Sequence, residues 1–514
     1  MNDVARDRAR EKRPVLVAVD LGAESCRVSL LRWVDGQPEI LLVHRFANSA
    51  RDTRTGLHWD IGGICEGVEE GLRACARLAP EGIAAIGVDG WAVDYVRLDP
   101  SGKPVADPFC YRDERTIEAQ NLVHLRISAN RLYELTGVQI LALNTLYQLR
   151  ADRDAEQNLP WVNLPEFVLH HLGGRRVSEY TNATHTQLLG VKDLAWCHEI
   201  FAAAGLDSSA SPPLVRPGTE IGRLQGGLAS LPAFRNTRLI APACHDTASA
   251  IAGIPAHGGD WAFISSGTWS LVGCVLDSAC VSDAARNANF SNEGGVGGKI
   301  YFLKNVNGLW LLRQCMEHWR SQGQGWTVEQ LVDACANLGA PDLLIDVDDP
   351  DLLQPGDMPG RINAQLNRNG RAAIPYDPGT SARMTNLILH SLAARYAAVL
   401  RDAANITGKT FERLYIVGGG SKNSLLNQLT AKATGLQVLT GSTESATVGN
   451  FAIQLAALEG NQAEGIGVTA NAVVEWSNVL AVLPIVAFKG DEPGNVIPAQ
   501  KTDEAQRPAG KALA

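Results

Sequence analysis

The feature that most constrains the fold is a strand, turn, strand device that occurs twice. Val15-Leu-Val-Ala-Val19 is a short β-branched run stopped by Asp20, and beyond Gly22 the alternating stretch Arg27-Val-Ser-Leu-Leu-Arg-Trp33 resumes a period of two. About 245 residues downstream, Trp261-Ala-Phe-Ile264, Ser265-Ser-Gly-Thr268 and Trp269-Ser-Leu-Val-Gly273 repeat it: apolar strand, small polar turn, second strand. A chain of 514 residues is more than one hydrophobic core serves. Two such hairpins half a chain apart, each followed by mixed helical and strand periodicities, predict two similar α/β domains. The expected division is a charged extension over 1–13, an N-terminal domain over 14–254, a C-terminal domain over 255–489 and a disordered polar tail over 490–514.

Each half carries a second strand that ends in a loop. Ile83-Ala-Ala-Ile-Gly-Val88 runs into Asp89-Gly-Trp-Ala-Val-Asp94, and Leu414-Tyr-Ile-Val417 runs into Gly418-Gly-Gly-Ser-Lys-Asn423. Open α/β sheets place their ligands at such strand ends. Ser421 is the expected N-cap of a helix with Leu425, Leu426, Leu429 and Ala433 on one stripe, and a second helix is expected from about Met384 to Ala404. The acidic stretch Asp342 to Asp351 lacks the glycine and terminal Glu of a calcium loop and reads as solvated.

Composition removes several classes of function. Hydrophobic residues make up 45% of the chain and charged ones 20%, which excludes global disorder. Lys and Arg number 46 against 55 Asp and Glu, a net charge of −9, so nucleic acid is not an expected partner. Ten cysteines without a C-x-x-C pair fit neither a disulfide scaffold nor a zinc site, and a reducing cytoplasm is the expected compartment. His170-His171 and Cys197-His198 lack the spacing of a ligand set. The apolar run Val479 to Phe488 is about half the length that spans a bilayer and contains Pro484, so no membrane association is expected.

Three loops have the chemistry to hold a nucleotide. The tip Asp20-Leu-Gly-Ala-Glu-Ser-Cys-Arg27 combines free backbone N–H groups and a guanidinium, which suit phosphate oxygens, with an acid that suits Mg²⁺. Ser265 to Thr268 offers a second such turn, and Gly418-Gly-Gly420 opens the backbone to a base or ribose. Neither G-x-x-x-x-G-K-[ST] nor G-x-G-x-x-G occurs, so the phosphate-binding fold is a different one. Within Leu239-Ile-Ala-Pro-Ala-Cys-His245-Asp246-Thr-Ala-Ser-Ala-Ile-Ala252 a carboxylate and an imidazole interrupt a small, apolar stretch. Asp246 is therefore the candidate general base, kept ionised by the helix expected to begin beside it, and His245 the group that orients.

Asp20-Leu-Gly-Ala, Tyr180-Thr-Asn-Ala-Thr184, His245-Asp-Thr-Ala-Ser-Ala250, Ser265-Ser-Gly-Thr-Trp-Ser-Leu271, Asn292-Glu-Gly-Gly295, Lys304-Asn305 with Gly308-Leu-Trp-Leu-Leu312, and Val417-Gly-Gly-Gly420 with Leu425-Leu-Asn-Gln428 together resemble the FGGY carbohydrate kinases, in order from about residue 15 to 460. The resemblance implies two actin-like, ribonuclease H-like domains closing on ATP and a sugar, as a monomer or a homodimer. It implies transfer of the γ-phosphoryl group to a ketose, O1 of L-rhamnulose in the first instance and L-fuculose as the alternative. It puts the proton acceptor at Asp246, sugar contacts at Ala92, His245, Thr247 and Asn305, and ATP contacts at Asp20, Ala23, Glu24, Ser25, Cys26, Arg27, Thr268, Arg313 and Gly419, with Asp20 beside Mg²⁺. Four positions depart from the family pattern: Cys26 replaces a glycine and is expected to crowd the phosphates, Ala92 replaces a sugar-contacting glycine, Arg313 replaces a glutamine, and Leu172-Gly-Gly174 lacks a threonine.

Overall fold

A computed structural model of the chain describes residues 13–152, 158–336, 338–377, 379–460, 462–463, 465–481, 485–490 and 492–497. Of the expected N-terminal extension, all but Arg13 lies outside the described residues.

Both hairpins form, and each is the centre of a sheet. Leu16–Leu21 pairs antiparallel with Ser25–Val34, which pairs antiparallel with Gln37–Ala47. On its other side Leu16–Leu21 pairs parallel with Ala85–Gly90, followed by Arg238–Ala241 in parallel and Thr219–Arg223 antiparallel. The second sheet repeats this plan strand for strand. Trp261–Ser266 pairs antiparallel with Trp269–Leu276, which pairs antiparallel with Ile300–Asn307. Its other edge adds Arg413–Val417 and Gln437–Thr440 in parallel and then Ile485–Lys489 antiparallel. Ser291–Gly294 and Glu492–Ile497 extend the two edges to eight strands. Central strands such as Leu16–Leu21 are buried on both faces, which is why their sequences read as continuous apolar runs rather than alternating ones.

Several local expectations change. Residues 492–497 of the expected disordered tail form the last strand, paired with Ile485–Lys489, and 498–514 lie outside the described residues. The helix after the glycine loop runs from Ser424 to Thr434 and is capped by Asn423, whose side chain accepts from the Leu426 N–H, while Ser421 belongs to the preceding 3-10 turn. That turn moves the cap two residues along, from Ser421 to Asn423, and the helix buries Leu426, Asn427, Thr430 and Ala431. The acidic stretch is solvated at Asp342, Asp346 and Asp351, as expected, but also ion-paired: Asp349 and Asp351 pair with Arg368, and Asp348 with Arg395. The long helix spans Thr380–Thr407 and buries Leu387, Leu392, Tyr396 and Val399, as its periodicity predicts.

The halves meet through two helices, Asp246–Ala252 and Ser445–Leu458. They approach so closely that a Cβ at Gly449 would lie 1.8 Å from the Ser249 carbonyl oxygen, so only glycine permits the crossing. Ser445 Oγ donates to the Ala250 carbonyl at 2.8 Å, and Gln454 Nε2 reaches the Val17 carbonyl at 3.0 Å. A shared apolar cluster including Ile251, Phe263, Phe451 and Leu455 fills the space around them.

Candidate active site

Strand register places the acids. Asp20 ends its strand opposite Arg27 in the antiparallel pair and opposite Asp89 in the parallel one. Arg27 Nη1 donates to Asp20 Oδ2 at 2.7 Å. Asp89 is fully buried: its Oδ2 accepts from Asn450 Nδ2 at 2.6 Å, whereas Oδ1 has no partner. Burial raises the pKa of Asp20, with Arg27 opposing it, and burial followed by the neighbouring Asp20 charge raises Asp89 much further. Asp246 is the third member of the cluster. Burial, reinforced by the Asp20 charge, raises it to about 6 against the Thr247 hydrogen bonds. The helix expected to keep Asp246 ionised does begin there and Thr247 N–H lies only 2.5 Å from Oδ1, but desolvation outweighs this donor, so the carboxylate loses its proton only above about 6.

Asp246 is the first residue of its helix and His245 the cap residue before it. This segment is threaded against the strand end by Gly90 N–H, which donates to the Cys244 carbonyl at 3.0 Å. Glu179 Oε2 accepts from the Cys244 N–H at 2.9 Å and from the Thr181 hydroxyl, and Glu166 Oε1 accepts from the Glu179 N–H. Both glutamates are buried, which raises Glu166 to about 7 and Glu179 to about 8. Ala92 lies buried in the loop after the Ala85–Gly90 strand, next to Val93 in a left-handed conformation (φ 70°). The indoles of Trp59 and Trp91 both donate to Asp94 Oδ2, at 2.6 and 2.9 Å, and tie that loop to the start of the Ile61–Leu78 helix.

The two hairpin tips face each other. Thr268 Oγ1 donates to Glu24 Oε1 at 3.1 Å, and the Arg313 guanidinium pairs with the same carboxylate. The helix bearing Arg313 docks on the second tip through Leu309 N–H to Gly267 O and Trp310 N–H to Thr268 O. Ala23, Glu24 and Ser25 thus join Thr268 and Arg313 at one mouth, with Arg27 behind them on Asp20. Gly419 has open space where a side chain would be, whereas Gly418 (φ 81°) is packed on the Ser266 carbonyl. Cys26 is corrected: strand alternation turns its side chain into the core, where it is fully buried and its thiol is pushed up to about 12 by desolvation, so it does not crowd the mouth. Asn305 directs both its backbone and its side-chain N–H groups at Gln139 Oε1.

The sequence reading left Asp89, His185 and Glu293 without a role. Asp89 had a signal, since it ends an apolar strand as Asp20 does. His185 and Glu293 had none: they meet His245 only because three distant segments converge. His185 Nε2 lies 3.0 Å from Glu293 Oε2, the two imidazoles are 4.0 Å apart, and His245 Nε2 lies 3.4 Å from Asp246 Oδ1. Burial, with His185 beside it, pushes the His245 pKa far below the usual histidine range and keeps the ring neutral.

Known proteins share this architecture. Residues 15–253 match the N-terminal domain of the FGGY family of carbohydrate kinases and 262–458 its C-terminal domain. The chain is 36% identical over 452 residues to a rhamnulokinase of Yersinia pestis (strain Pestoides F), covering 86% of this chain and 90% of that one. Among solved structures it resembles a xylulose kinase from Lactobacillus acidophilus (TM-score 0.71, 16% identity, 95% of this chain and 94% of that one). It also resembles Plasmodium falciparum glycerol kinase with ADP (TM-score 0.71, 13% identity, the same coverages). With both family domains in sequence order on a duplicated, actin-like α/β fold, the chain belongs to the FGGY family of carbohydrate kinases and is a phosphotransferase.

Proposed function

We propose that this enzyme transfers the γ-phosphoryl group of ATP to O1 of L-rhamnulose. The observation that carries the chemistry is Asp246, a half-buried carboxylate raised to about 6 at a helix N-terminus where the two halves meet. It is ionised at neutral pH and basic enough to take the hydroxyl proton as the oxygen attacks phosphorus. His245, Thr247, Ala92 and Asn305 hold the sugar. Ala23 to Arg27, Thr268, Arg313 and Gly419 hold the nucleotide, Cys26 through its backbone alone. Asp20 and Asp89 fit Mg²⁺: they are two buried carboxylates side by side, burial and then the Asp20 charge push Asp89 well above the usual range, and Asp89 Oδ1 lacks a partner. The ion supplies charge neutralisation for the phosphates.

The rhamnulokinase likeness supports L-rhamnulose over other ketoses. The domain boundary in this reading falls near residue 255, between the Asp246 helix and the Trp261 strand. All ten cysteines are free, which supports work in the cytoplasm. Among the described residues no helix is long and apolar enough to cross a membrane. Coupled ADP release, measured with L-rhamnulose, L-fuculose, L-ribulose, D-xylulose and glycerol, tests the assignment. The highest kcat/KM is expected with L-rhamnulose, and a higher one with any other acceptor overturns it.

A further inference from the structure

The one buried carboxylate near the base that has no ordinary partner is Glu293. Its side chain is 2% exposed, and among the described residues it meets no backbone N–H, lysine or arginine within bonding distance. Its charge-bearing neighbours among the described residues are imidazoles, His185 Nε2 at 3.0 Å and His245 Nδ1 at 4.0 Å. A buried carboxylate is costly without a cation. No lysine or arginine among the described residues stands beside it to supply one. The short contact to His185 is not a hydrogen bond either, since His185 Nε2 is buried and has no hydrogen-bond partner.

Two imidazoles and one carboxylate are the donor set of a borderline transition-metal ion, with at least one position left open. One donor atom from each of the three residues lies within 4.8 Å of the others. Metal–ligand bonds of about 2.0–2.2 Å draw such atoms to within roughly 4 Å, a small side-chain adjustment. Asp246 completes the pattern: it lies 3.4 Å from His245 Nε2, where a carboxylate orients a ligating histidine through its second nitrogen. The three ligands come from the Tyr180–His185 helix, the cap of the Asp246 helix and the Ser291–Gly294 strand, so they join both halves of the molecule.

We propose that His185, His245 and Glu293 bind a divalent transition-metal ion such as Zn²⁺ or Mn²⁺, separate from the nucleotide's Mg²⁺, whose open position takes a hydroxyl oxygen of the sugar beside Asp246. The second clause rests on reading this cleft as the sugar site; ion binding does not.

The test is titration of the chelator-stripped full chain with Co²⁺, without nucleotide or sugar, followed by calorimetry and visible absorption. One ion per chain with a nitrogen- and oxygen-ligated spectrum is expected, displaced by Zn²⁺. Glu293→Gln and His185→Gln are expected to weaken it at least about tenfold. No uptake by the unmodified chain overturns the proposal whatever the variants do, as does uptake unchanged in both folded variants. In a second arm, stripping the protein while Mg²⁺ and ATP are kept is expected to raise the sugar KM about tenfold; an unchanged KM overturns the sugar contact. Co²⁺ uptake without phosphorylation of any ketose leaves the ion site standing and removes the proposed function, and the converse outcome removes the ion site alone.

Discussion

The two halves share six strands in the same order and direction, yet the ends of their central strands carry different chemistry. In the first half the positions beside the tip are Asp20, Arg27 and Asp89: Asp20 and Arg27 form an ion pair, and burial and then the Asp20 charge push the Asp89 carboxyl well above the usual range. In the second the corresponding ends carry Ser265, Ser266, Ser270 and Val417, which leads into Gly418. A sheet end with buried carboxylates can handle a cation and a proton; one built of small residues lets a ligand's phosphates or ribose approach the backbone. Duplication of the scaffold therefore came with separation of tasks, and each half supplies what the other lacks.

The strongest way to break this contrast is Asp246→Asn. Sugar phosphorylation is expected to fall at least about a hundredfold, the scale of a positioned base, while nucleotide affinity is retained. Comparable turnover in variant and parent would show that the charged half holds no base. In the parent, kcat/KM for the sugar should rise with pH through about 6 and then level off, because Asp246 must be ionised; a profile flat from pH 5 to 7 speaks against it.

Cys26→Gly separates a structural role from a ligand role. The thiol is part of the first half's core, so the expected result is a loss of about 1–3 kcal/mol of stability with the ATP KM unchanged. A lower ATP KM with an unchanged melting temperature would restore crowding of the phosphates. On the uncharged half, Thr268→Ala is expected to raise the ATP KM about ten- to a hundredfold and leave the sugar KM alone, the loss of one hydrogen bond to a charged group. An equal rise in both constants would show that the second tip does not serve the nucleotide separately.

The smallest effect concerns the scaffold under the base. Glu179 is raised to about 8 in the folded protein, so it keeps its proton there while the unfolded chain ionises near the ordinary glutamate range. Its stabilising contribution is complete below about pH 4.5 and is lost as pH rises through about 8. Glu179→Gln should flatten the decline of melting temperature between pH 5 and 8.5. An unaltered slope would place the titration elsewhere.

The duplicated fold was legible because hairpins and buried strands announce themselves within a few residues: Val15–Val19 and Trp261–Ile264 are local signals. Asp246 was legible because a lone acid among alanines is costly unless used. Glu293 and His185 were not, since their meaning lies in contacts across more than a hundred residues. Cys26 was misread for a related reason. Position in a loop motif does not say to which side a strand has begun to alternate, and the register with Phe46 turns the thiol inward.

The tight crossing of Gly449 on Ser249 has a mechanical consequence. Any swing of one sheet against the other pivots where the chains touch most closely, and displacement grows with distance from that axis. Asp246, only three residues along the helix from Ser249, lies on the short arm, whereas Glu24 and Thr268 at the hairpin tips lie on the long one. The base then stays almost stationary while the jaws that grip the nucleotide travel, so opening to exchange ADP need not disturb the atom that next accepts a proton.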